Sequence, residues 1–178
     1  MTTSDPACDV AHGAAPAADP AERVLVAVYA NAVSSYLLHW GRELGFRTVL
    51  LEPDPARVTR GHRAGADAVL HRPEGVSLAD ADVVVTDHHR DDLGGVLAPL
   101  VRARPRWIGI MGSPRHEGPH RAALREQAVD EDLIATVRRP IGLDIGSKAP
   151  AEIALSTLAG LLADRNGRRG GFHDGGSR

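Results

Sequence analysis

The chain reads as an α/β domain in which a mostly parallel sheet carries helices on both faces. Three observations predict this. Five short apolar runs, at residues 24–29, 48–51, 68–70, 83–86 and 107–111, are continuous rather than alternating. That pattern suits strands covered on both faces. Longer stretches with helical spacing alternate with those runs. Finally, 178 residues at 43% hydrophobic and 25% charged content are ordinary globular values, with about 145 residues left for one core once both ends are set aside.

Taken in order, residues 24–29 form the first strand. A helix over about 33–44 follows, with Leu37, Leu38 and Leu44 on one side and Gly45 ending it. Residues 48–51 are the second strand, and Glu52-Pro53-Asp54-Pro55 turns the chain into a second helix ending near Gly65. A short strand at 68–70 and a polar turn at 77–82 lead to the fourth strand, 83–86. Then come a helix at 93–103, the fifth strand at 107–111, and helices at 114–127, 131–137 and 150–165. Right-handed crossovers between such units give a doubly wound, Rossmann-like domain.

Residues 1–21, rich in Ala, Pro and Asp without apolar periodicity, read as a disordered leader. Residues 22–166 form the single domain. Residues 167–178, with repeated glycines, read as a flexible tail.

The composition excludes several classes of function. The 21 basic and 23 acidic residues are intermixed, so no basic face is expected and nucleic acid is disfavoured as a partner. The one cysteine, Cys8, permits neither an internal disulfide nor a thiolate zinc site. No apolar run is long enough to span a membrane and no secretion signal is seen, so a soluble cytoplasmic protein is expected.

Ligands of such sheets sit beyond the carboxyl ends of the strands. After the first strand, Tyr29-Ala30-Asn31-Ala32-Val33-Ser34 lacks the glycines that let a pyrophosphate reach a helix start. Asn31 there tolerates a left-handed backbone, and the Tyr29 ring is expected near the phosphate position. Glu52, after the second strand, reads either as a ribose-binding carboxylate or as a solvated turn acid. After the fourth strand, Asp87-His88-His89-Arg90-Asp91-Asp92 reads as a polar, ligand-facing loop, with Asp91 or Asp92 capping the next helix. Its paired histidines also raise a metal site, although adjacent residues point apart.

After the fifth strand, Gly112 offers close backbone access, Ser113 is a good N-cap and Pro114 suits the first helical position. With Arg115, that helix start reads as an anion site; a capped helix with a surface arginine is the plainer alternative. Further on, Asp144 in the apolar context of Leu143 and Ile145 reads as buried and in need of a partner or ligand. Gly142 and Gly146 flank it where φ is positive or something approaches closely; a structural turn accounts for the segment equally well. His116 and His120 share a helix face without a third ligand, and most other histidines read as solvated. No nucleophile–base pair stands out, so catalysis is not predicted.

Residues 107–115 (Trp-Ile-Gly-Ile-Met-Gly-Ser-Pro-Arg), residues 141–146 (Ile-Gly-Leu-Asp-Ile-Gly) and Pro150-Ala151-Glu152-Ile153-Ala154 together resemble the C-terminal Rossmann domain of the XdhC/CoxI family. Those proteins are maturation factors for molybdenum hydroxylases such as xanthine and carbon monoxide dehydrogenases. The resemblance covers roughly residues 22–166. It implies a delivery protein that binds the molybdenum cofactor, a pterin dithiolene bearing a phosphate or nucleotide, and passes it to a client apo-enzyme after sulfuration by a cysteine desulfurase. The residues expected to hold such a cofactor are Gly112, Ser113, Arg115, Gly142, Asp144 and Gly146, with Asn31, Asp87 and His88. A homodimer is one assembly such a domain would allow.

The chain departs from the family in three places. Tyr29, Asn31 and Ala32 stand where the family's Gly-x-Gly-His loop has its two glycines and histidine. The family's N-terminal, cysteine-bearing domain has no counterpart in this sequence. Ala149 replaces a threonine cap, a loss of about 0.5–2 kcal/mol. The alternatives to the delivery protein are a nicotinamide-dependent oxidoreductase, disfavoured by the missing glycines, and an interaction domain whose pocket has closed.

Overall fold

The computed structural model describes residues 23–74, 77–113 and 118–171. Both the expected leader and residues 172–178 of the expected tail lie outside them.

Five strands, β1 (Val24–Val28), β2 (Arg47–Leu51), β3 (Ala68–Leu70), β4 (Ala81–Val85) and β5 (Trp107–Ile110), form one sheet in the order β3-β2-β1-β4-β5. All four pairings are parallel. The strand order reverses between β1 and β4, as in a doubly wound sheet. The α-helices, in chain order, are α1 (Ala32–Glu43), α2 (Arg60–Gly65), α3 (Leu93–Arg102), α4 (Pro119–Glu126), α5 (Glu131–Ile134) and α6 (Pro150–Arg165).

Successive side chains of a strand point to opposite faces, and the core divides accordingly. On one side of the sheet, Val26, Val28, Val83, Val85, Ile108 and Ile110 pack with Leu97 and Val101 of α3, Leu124 of α4 and Ile134 of α5. Leu25 and Val84 point the other way and meet Leu37 of α1 with Ala154, Leu158 and Leu161 of α6. The short helix α2 lies against α1. Two covered faces are why the strands carry unbroken apolar runs.

All five expected strands are present, and α1 is followed by Gly45, whose φ of 81° suits glycine. One helix start differs. α4 begins at Pro119 behind the N-cap Gly118, and the expected start at Pro114 lies outside the described residues. The sequence holds two prolines here that suit a first helical position, and the second one opens the helix.

At the foot of the sheet, the buried Asp82 accepts from Arg106 and Arg165, each at 2.5 Å. Asp164 of α6 accepts from Arg106 at 3.0 Å and Arg138 at 2.5 Å. This network pins the carboxyl end of α6 to β4 and to the start of β5.

Candidate functional site

The turn after β1 is filled from within. Left-handed backbone, which Asn31 would tolerate, is found at Tyr29 with φ of 74°, while Asn31 is extended at φ −156°. Asn31 caps α1, its Oδ1 accepting from the amides of Val33 at 2.9 Å and Ser34 at 3.0 Å. Its Nδ2 donates to Thr86 Oγ1 at 2.8 Å, and its own amide donates to Ser34 Oγ at 2.8 Å. Asn31 is thus used within the fold and does not line the cleft described below.

Glu52 is fully buried, so it is not a solvated turn acid. Its Oε2 accepts from the Ala30 amide at 2.8 Å and its Oε1 from the Asp54 amide at 2.9 Å. Arg90 donates to both oxygens, at 3.3 and 3.2 Å, and lies 4.4 Å from the centre of the Tyr29 ring. With both oxygens engaged, Glu52 has no free acceptor for a ribose. Burial, with Asp92 alongside, pushes the Tyr29 phenol well above its ordinary range.

His62 backs the same turn and is buried, unlike the solvated histidines expected. Its Nδ1 accepts from the Thr59 amide at 3.1 Å, which leaves the proton on Nε2, 2.9 Å from the Asn31 carbonyl oxygen.

Beyond β4 and β5 the molecule opens into a cleft of about 590 Å³. It brings together the expected site residues Asp87, His88, Gly112, Ser113, Gly142, Asp144 and Gly146. Arg115 and His116 lie outside the described residues. Ser113 is exposed at the rim and does not cap α4, whose start falls at Pro119. Asp144 is exposed rather than buried, and no hydrogen bond reaches it from the described residues. Its apolar neighbours misled because the segment crosses the mouth of the cleft.

Gly142 has φ of 86°, and a Cβ there would lie 2.5 Å from Ser156 Oγ, so the loop rests directly on α6. Gly146, at φ 68°, has open space around it. Asp87 Oδ1 accepts from the His89 amide at 2.9 Å. Burial, with His89 and Arg139 nearby, holds the His88 imidazole below its usual value. The ring centres of His88 and His89 are 4.0 Å apart. Among the described residues, no three His, Cys, Asp or Glu side chains converge as a metal site would require. Asp92 precedes α3 without capping it through its side chain; its Oδ2 meets Arg90 at 3.3 Å instead.

Sequence reasoning missed Lys148, which lines the cleft, and Ser147, whose hydroxyl meets Glu152 and accepts from the Ala149 amide at 3.0 Å. Ser147 engages the amide of the N-cap residue itself, while Ala149 gives α6 no side-chain cap. Its signal was a serine shortly ahead of the helix-starting Pro150.

Residues 25–161 match the family described as the XdhC Rossmann domain. The chain belongs to that family. Over 76 residues, 43% of this chain, it is 37% identical to the Uncharacterized protein YqeB of Escherichia coli strain K12, and it spans 14% of that relative's length. A solved structure from Bacillus halodurans, described as a xanthine dehydrogenase, superposes with a TM-score of 0.63 at 22% identity, over 82% of this chain and 45% of that one. That likeness speaks for the fold. Among the described residues no helix is long and apolar enough to cross a membrane.

Proposed function

We propose that this XdhC domain binds the pterin cofactor of molybdenum hydroxylases and passes it to a client apo-enzyme, with a cysteine desulfurase as a further partner. The observation that carries the reading is the open cleft beyond β4 and β5, of a size usual for cofactor sites, set beside a sealed β1 turn. Its donor set suits a pterin. Asp87 and Asp144 offer carboxylate acceptors for ring N–H groups, Met111 and Ile141 give apolar walls, and Lys148 offers a cation for a phosphate. Arg115 is proposed as a second phosphate ligand. When bound, the cofactor supplies the molybdenum chemistry for the client; the residues here hold, orient and shield it. No catalytic residue is assigned.

The test is retention of molybdopterin by the purified full chain through gel filtration, followed by pull-down of a molybdenum hydroxylase. Retention that falls in Asp144→Asn and Arg115→Ala supports the reading; no retention and no association reject it. The nicotinamide alternative predicts stabilisation by NAD(H) or NADP(H), about 2.7 kcal/mol at a hundred times the Kd. The engaged Glu52 and self-capped α1 predict no shift in Tm.

A further inference from the structure

β5 is an outer strand of the sheet. Among the described residues one residue pairs with its free edge: Arg138 N–H donates to Ile108 C=O and Ile110 N–H donates to Arg138 C=O, both at 3.0 Å. Ile108 N–H faces that same edge. A continued strand would supply its acceptor from Thr136. The chain turns there instead, with Thr136 N–H donating to Leu133 C=O at 3.1 Å and Val137 N–H to Ile134 C=O at 3.2 Å. Ile108 is 3% exposed, yet its N–H has no acceptor among the described residues. Buried backbone donors nearly always have one.

A cavity of about 470 Å³ opens at this place, lined by Ile108, Leu133, Thr136, Arg104, Arg106 and Arg138. Arg106, Arg138 and the adjoining Arg165 share Asp82 and Asp164. Arg104 is exposed and makes no ion pair among the described residues. The network therefore carries more positive than negative groups, around an unfilled strand position.

We propose that this cavity docks an extended acidic segment of a partner protein. A backbone carbonyl of the segment accepts from Ile108 N–H, as in strand addition to a sheet edge. A carboxylate of the segment pairs with Arg104 and Arg138, and Leu133 takes an apolar side chain. The cavity lies at the start of β5 and the cleft beyond its end, so both can be filled together. The inference does not depend on what the cleft holds.

The experiment titrates the isotope-labelled full chain with the capped peptide Val-Asp-Val-Glu-Val, its Asn/Gln analogue, and sodium phosphate, following the Ile108 amide by NMR. The acidic peptide is expected to shift that resonance saturably and slow its hydrogen exchange. Arg104→Gln, and the neutral analogue, should each weaken binding about fivefold or more. No response of Ile108 to the acidic peptide overturns the proposal. So does an equal response to phosphate alone, which would make this a plain anion site, or equal binding of the neutral analogue.

Discussion

The turn after β1 and the cleft beyond β4 and β5 occupy equivalent places, at the carboxyl ends of parallel strands, and have opposite characters. At the first, Ala30, Asn31, Val33 and Ser34 all have their amides engaged by side chains of the same chain. At the second, Asp144 stands exposed and a loop rests on α6 through Gly142. The fold fixes where a ligand can sit, while the engagement of individual donors and acceptors decides which place stays available.

The largest test of that contrast is Glu52→Ala. It removes the fully buried partner of Arg90, leaving that side chain only the half-exposed Asp92, and frees the Ala30 and Asp54 amides, so urea unfolding should show a loss of about 3–5 kcal/mol. A loss below about 1 kcal/mol would mean that the turn is held by something else. Next comes the cleft wall. Gly142→Ala adds left-handed strain to a clash with Ser156, for about 2–4 kcal/mol, whereas Gly146→Ala adds strain alone, for about 1–2 kcal/mol. Equal losses would remove the contact with α6 from the explanation. Asn31→Ala should cost about 0.5–2 kcal/mol by loss of the cap, read from the same unfolding curves.

The smallest effect concerns pH. His88 has its pKa lowered in the fold from the usual 6.5, so the unfolded chain takes up the proton first. Stability is full above pH 6.5 and declines as the pH falls below it toward the folded value. The urea midpoint should drop less between about pH 7 and pH 5 in His88→Asn than in the parent; an identical drop would dissociate His88 from the effect.

The strands were legible because burial on both faces leaves continuous runs such as Val24 to Val28 and Val83 to Val85. The glycines of the cleft were legible because their backbone needs are local. The Glu52–Arg90 pair was not, since its members are 38 residues apart and only the β2-β1-β4 order brings them together. The helix start at Gly118 was missed because Ser113-Pro114 satisfies the same local rule, and a local rule cannot choose between two neighbouring candidates. Asp144 was misjudged because apolar neighbours in sequence do not report which way a loop crosses an opening.

The arginine–aspartate network at the base of α6 fixes that helix at its carboxyl end. Its anchored foot is Asp164 and Arg165, and its opposite tip, Pro150, follows closely on Lys148 at the cleft. With Ala154, Leu158 and Leu161 buried between those ends, the 16-residue helix is a fixed post, and it sets where the rim of the opening stands.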